Sequence, residues 1–196
     1  MERNEVNELF YISHIENVPS IIKHGILSHN ESKKINSFSI AMPEIQQKRK
    51  DKIIPGAGKL HDYANLYFDA HNPMLSKCRE HNDKICILCI NSGILDQPGI
   101  IISDQNAASD YAGFYDVYYG LKKLDKHMVY AESWKHPDDE IMEWRHKSVK
   151  CAEILIPKGV SPKYITRAYV ANKEAMKLFT DLKIELNVEI KSGIFF

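Results

Sequence analysis

The chain has 196 residues, 44% of them hydrophobic and 27% charged, and its 26 basic and 26 acidic side chains balance to a formal net charge of +0. That length suits a single domain with a sizeable core, and that composition excludes a disordered chain. The charge balance removes any argument from overall charge for a nucleic-acid partner, which would need a locally basic surface.

In chain order, Leu9 to Ser13 reads as a first strand that leads through His14 into a short helix. Asn17 suits the N-cap of that helix, Pro19 its first turn and Gly25 its stop. The partner strand is Ile26-Leu27-Ser28 or the later Phe38-Ser39-Ile40. A basic run, Lys48-Arg49-Lys50 with Lys52, precedes a Pro55-Gly56 turn. The stretch from Leu60 to Phe68 ends as an aromatic strand, and Asn72-Pro73 opens another helix. Ile85 to Asn91 is an apolar run of strand length, followed by a short Ile100–Ile102 strand. From Ser103 to Lys150 the chain is polar and aromatic without a long clean period, the kind of excursion that is usually functional. Strands return at Glu153 to Pro157 and Tyr164 to Val170, a helix spans about Asn172 to Leu182, and a last strand runs from Glu185 to Lys191.

Strands and helices mixed without a βαβ rhythm predict an α+β fold, here one domain over 1–196. Neither a G-x-G-x-x-G nor a Walker sequence is present, so any NAD use is not of Rossmann type. Cys86 and Cys89 form a CxxC inside the Ile85 strand. Three apart on a strand, they point to opposite faces, and no second CxxC completes four ligands, so they read as structural and no metal is expected. No apolar run reaches membrane-spanning length, and no signal or lipidation motif follows Met1. The expectation is a cytoplasmic protein with reduced thiols and no membrane partner.

Glu153 carries the sharpest question, because a carboxylate among apolar strand neighbours is costly to bury without a partner. On pattern alone it reads as a strand-edge residue paired with a lysine. The functional alternative places it at the ribose of a nucleotide glycoside. Breaking the nicotinamide bond of NAD builds positive charge on the sugar, as in glycoside hydrolysis, and a nearby carboxylate stabilises that charge. Arg49 reads either as part of a solvated helix face or as a planar fork that clamps a pyrophosphate. Lys48, Lys50 and Lys52 read as surface. His14 is either a satisfied loop histidine or a hydrogen-bonding partner of a ribose hydroxyl.

Tyr11-Ile12-Ser13-His14-Ile15-Glu16-Asn17, Ile45-Gln46 with Lys48-Arg49 and Ile54-Pro55, Leu60-His61-Asp62-Tyr63, Tyr67-Phe68 with Pro73-Met74-Leu75, and Ala152-Glu153 occur in that order. Together they resemble the DarT type of DNA ADP-ribosyltransferase toxins over nearly the whole chain. The resemblance implies an ADP-ribosyltransferase fold, central antiparallel sheets flanked by short helices. It implies an enzyme that cleaves NAD+ and attaches ADP-ribose to a base of single-stranded DNA, opposed by a macrodomain-type antitoxin that removes the modification. Glu153 and Arg49 are then catalytic. Ser13, His14, Asn17, Gly25, Leu27, Arg49, Tyr67 and Met74 line the NAD+ site. Residues 103–150 hold the DNA through Tyr111, Tyr115, Lys122, Lys123, Arg145, His146, Lys147 and Cys151, with Trp134 and Trp144 able to stack on bases or to sit in the core. His71 stands where some members have arginine. Cys151 stands where the thymine-modifying branch has glutamine; two residues before Glu153 on a strand, it is expected beside the carboxylate and facing the acceptor. A thiol bonds a base edge poorly, so guanine is the favoured base and thymine the alternative. The rival readings are transfer to RNA or protein, simple NAD+ hydrolysis, and a binding module without catalysis.

Overall fold

The computed structural model describes residues 1–35 and 43–196, with side chains described at 1–35 and 46–196. Its strands are β1 (Glu8–His14), β2 (Ile26–Leu27), β3 (Ile53–Ile54), β4 (Gly58–Lys59), β5 (Tyr63–Tyr67), β6 (Ile85–Asn91), β7 (Ile101–Ser103), β8 (Phe114–Asp116), β9 (Glu153–Pro157), β10 (Gly159–Val160), β11 (Ile165–Val170) and β12 (Val188–Ile190). Its helices are α1 (Val18–His24), α2 (His29–Ser32), α3 (Pro43–Asp51), α4 (Pro73–Lys77), α5 (Val117–Lys123), α6 (Lys126–Val129), α7 (Glu140–Val149) and α8 (Lys173–Asp181). Among the described residues, no helix is long and apolar enough to cross a membrane.

One eight-stranded sheet, in the order β12-β11-β6-β1-β5-β9-β7-β8, organises the molecule. Neighbours are antiparallel except β11 and β12, which run parallel. The α+β expectation holds. The Ile85 run forms β6 because an unbroken apolar stretch suits a strand covered on both faces. Cys86 joins one apolar cluster and Cys89 the other, so the CxxC is split across the sheet. All four cysteines are free and buried, and burial pushes the Cys89 thiol up to about 12.

The sheet's join between β1 and β5 is its thinnest. β1 is zippered to β6 along its whole length, from Glu8 to His14, yet it meets β5 at Phe10↔Tyr67 alone. That pair belongs to a row crossing the sheet: Cys89, Phe10, Tyr67, Glu153, Ser103 and Phe114 stand side by side on successive strands. Cross-strand partners share a face, so Glu153 projects from the same side as Tyr67. The opposite side carries the main core, built on Leu66, Leu88, Ile102 and Ile154 and covered by α1, α5 and α8. On the Glu153 side lie two smaller clusters, one around Tyr67, Leu75 and Cys151, the other around Ile54, Leu60, Ala107 and Leu155.

Several local expectations need correction. Asn17 does not cap α1 through its side chain; a 3-10 turn at Ile15–Asn17 precedes the helix and is capped by His14, whose Nδ1 accepts from the Glu16 N–H at 3.3 Å. Gly25 does stop α1, at φ 87°. A Cβ there would lie 2.2 Å from the Val160 carbonyl oxygen, because β2 pairs with β10 rather than with β1. The alternative strand at Phe38–Ile40 lies outside the described residues. The 103–150 stretch holds more regular structure than its pattern suggests, ending the sheet with β8 and containing the ten-residue α7. The last strand is only Val188–Ile190.

Candidate active site

Glu153 opens β9 and is 1% exposed. Arg49 Nη1 donates to both carboxylate oxygens, at 3.1 and 3.0 Å, and the Ala107 N–H donates to Oε1 at 2.9 Å. The strand-edge reading with a lysine partner is therefore wrong: the carboxylate is interior, and its partner is an arginine 104 positions away. Burying both charges is costly, and each depends on the other.

Helical geometry explains why one residue of a basic run turns inward. On α3, Lys48 and Lys50 are exposed while Arg49 between them is buried, as the roughly 100° step per helical residue dictates. Lys52 is not a surface residue. Its Nζ donates to the Ser109 carbonyl at 2.7 Å, with Asp110 at 3.9 Å. Residues 107–110 and the end of α3 are thus tied to each other as well as to Glu153. Behind Arg49, the buried His61 ring lies 4.0 Å from that of His29. Burial, then His29, Arg49 and Lys33, lower His61 to about 4, and its Nε2 is buried without a hydrogen-bond partner.

The expected NAD+ residues divide into groups. Arg49, Tyr67 and Met74 gather near Glu153. Tyr67 is its cross-strand partner, and its hydroxyl is held well above its ordinary value by burial and then by Glu153. Met74 packs on the Tyr67 cluster. His14 ends β1 with the alternation of Phe10 and Ile12, on the Glu153 side. Ser13 alternates to the other side and accepts from Asn17 Nδ2 at 3.3 Å, so these two brace the turn behind His14. Gly25 and Leu27 lie at the β2–β10 pair.

The expected DNA residues are split by the sheet. Gly120 of α5 packs against Ile102, whose side chain belongs to the main core, so α5 covers the face opposite Glu153. Lys122 and Lys123 ride on α5, and Tyr115 pairs with Ile102 and shares its face. These three are separated from the carboxylate by the sheet. His146 is buried, its Nδ1 bonded to His136 Nε2 at 2.8 Å and its Nε2 to the Met128 carbonyl at 3.0 Å. Trp134 is core as well, packed with His71 and Phe196. Cys151 lies in the turn before β9 and is buried, its thiol raised to about 12 by burial and then by Glu153. It is near the carboxylate, as expected, and covered. Lys147 pairs with Glu143 at 2.6 Å. Arg145, Tyr111 and Trp144 remain exposed.

Two contributors escaped the sequence. The Ala107 backbone carries no side-chain signal. Lys150, fully buried, bonds Asp69 and the Val129 carbonyl; its only hint was a lysine abutting an apolar strand. Among the described residues, no group of three His, Cys, Asp or Glu could hold a metal ion.

The model of the family described as "ssDNA thymidine ADP-ribosyltransferase, DarT" matches residues 10–196. The chain is 35% identical over 174 residues to a DNA ADP-ribosyl transferase–DNA ADP-ribosyl glycohydrolase fusion protein of Thermosipho africanus (strain H17ap60334), a match covering 85% of this chain and 43% of that protein. The chain thus spans under half the length of that relative. Among solved structures, Thermus sp. 2.9 DarT in complex with ADP-ribosylated ssDNA superposes with a TM-score of 0.82 at 24% identity, covering 98% of this chain and 97% of that one. The same protein in complex with NAD+ gives 0.78 at 22% identity, covering 98% of each. At these identities the superpositions speak for the fold.

Proposed function

Because its residues 10–196 match the family model, the chain belongs to the DarT family, and from that premise we propose that it cleaves NAD+ and transfers the ADP-ribosyl group to a base of single-stranded DNA. The observation that carries this reading is the Glu153 carboxylate, interior and held by Arg49 and the Ala107 N–H.

Cleaving the glycosidic bond of NAD+ releases neutral nicotinamide and leaves an oxocarbenium-like ribose. Glu153 can accept a hydrogen bond from a ribose hydroxyl and oppose the charge as it develops, which stabilises the transition state more than the ground state. Arg49 holds that carboxylate oriented in the free chain through its two hydrogen bonds. On meeting the dinucleotide it can turn its planar fork to the pyrophosphate. Tyr67, Met74 and His14, on the same side of the sheet, are the walls we assign to the NAD+ site.

For the acceptor base we take thymine, as the family description has it. The observation on the other side is Cys151, which stands where the thymine-modifying branch has glutamine and favours guanine. The biological role we assign is that of a toxin whose modification a glycohydrolase partner removes, a reading supported by the fused glycohydrolase of the Thermosipho relative.

The test is mass spectrometry of single-stranded oligonucleotides incubated with NAD+ and either the wild type or Glu153→Gln. One ADP-ribosyl unit is expected on oligonucleotides containing thymine, and none with the variant. Modification confined to guanine would overturn the base assignment. Consumption of NAD+ with no modified DNA would overturn the reaction.

A further inference from the structure

We propose that Tyr111 and Trp144 form a stacking corner for an unpaired base next to the acceptor, which gives the chain its preference for single strands. This rests on the transferase reading above and names how that site holds its substrate.

The two residues lie 33 positions apart, yet their rings meet edge to face at 5.8 Å and 90°. Both are open to solvent, Tyr111 at 75% and Trp144 at 57%. Two large aromatics brought together by the fold and left uncovered are unusual where apolar surface is normally buried.

The elements that carry them lead to the carboxylate. Tyr111 ends the loop in which Ala107 donates to Glu153 and Ser109 is held by Lys52. Trp144 lies on α7, which runs into Glu153 within four residues of its end. Ile141, Trp144, Arg145 and Ser148 fall at helical spacing i, i+3, i+4 and i+7, so they share one face of α7. That face meets the loop where Trp144 packs on Tyr111, and the end of α7 is tied to the same loop by the Asn106 N–H, which donates to the Ser148 carbonyl at 2.9 Å. At its far end Ile141 is also exposed. The corner therefore has two aromatic walls, with Ile141 and Arg145 on the same exposed face of α7.

Chemistry selects the occupant. A perpendicular aromatic pair leaves a ring face free for a flat partner, and every base offers such a face when unpaired. Arg145 adds a cation for the phosphate beside it, while Lys147 is already engaged by Glu143. A duplex keeps its bases stacked on one another and would meet the cation alone. The basic residues of α5 lie across the sheet and do not contribute to this corner.

The experiment measures binding of a labelled single-stranded oligonucleotide by anisotropy, with the matching duplex in parallel. Trp144→Leu keeps an apolar side chain of fair size, Trp144→Phe keeps a ring, and thermal melts confirm that each variant folds. The expected result is single-strand affinity weakened about tenfold or more in Trp144→Leu and Tyr111→Ala, restored in large part by Trp144→Phe, with duplex binding unmoved. Equal single-strand affinity in the wild type and Trp144→Leu would overturn the corner while leaving the transferase reading intact. Weakened binding in a protein whose wild type modifies no DNA would sustain the corner and overturn that reading. A wild type that binds no single strand would overturn the corner, and a loss in Trp144→Leu that Phe does not repair would overturn stacking as its basis.

Discussion

At the scale of single residues, the site is a problem of charges with few exits. Glu153 and Arg49 neutralise each other under cover, whereas the buried His61 is penalised by burial and then by His29, Arg49 and Lys33. Its ordinary value of 6.5 falls to about 4 in the folded chain. Between those limits the unfolded chain takes up a proton that the folded chain refuses, so stability is complete above about pH 6.5 and declines as the pH falls towards 4. We predict a loss on the order of 2 kcal/mol across that window, read as a falling urea midpoint, and a flatter profile in His61→Gln. An unchanged slope in the variant would assign the acid sensitivity elsewhere. Glu153 and Arg49 could be singled out from the sequence because a carboxylate among apolar neighbours and an arginine before a Pro-Gly turn are each anomalous. Ala107 could not, since a backbone N–H leaves no mark in composition or spacing. Strand alternation placed Cys151 on the Glu153 side, where it sits with the Tyr67 cluster while Ala152 faces the main core; its burial left no mark in the sequence.

Elements with their own punctuation were the most legible. Asn72 and Asn172 accept from backbone N–H groups at the starts of α4 and α8, as cap chemistry requires. Asn17 has the same side chain and fails to cap, because a preceding turn brings it to Ser13 instead. Gly25 was legible as a helix stop but not as a contact. Alanine there meets both a positive φ and the Val160 carbonyl, whereas Gly56, at φ 72°, has nothing within 4 Å of a new Cβ. Gly25→Ala should therefore cost about 2–4 kcal/mol and Gly56→Ala about 1 kcal/mol, a difference that paired denaturant titrations would resolve. Equal losses would mean that backbone strain alone matters at Gly25. The 103–150 excursion read poorly because its elements are short, and β8 has only three residues in which to show a period.

Across the whole molecule, the sequence carries the class of fold but not the order of the strands. Nothing in the β9 segment announces that it lies between β5 and β7, a placement set by ladders 90 and 52 positions long. The same holds for Lys150, which pins the end of the excursion to Asp69 at the exit of β5. Lys150→Met leaves that carboxylate without its charge partner, with the His71 N–H still donating to it, and should cost about 3 kcal/mol, with limited proteolysis cutting first between residues 126 and 150. Cleavage elsewhere at unchanged stability would refute that anchoring role. The position of β9 also bears on how the protein is made. Arg49 and Ala107 precede Glu153 in the chain, and β7 and β8 join the ladder of the rest of the sheet only through β9. A polypeptide interrupted before residue 153 therefore lacks both the buried carboxylate and the strand that joins the two halves of its sheet.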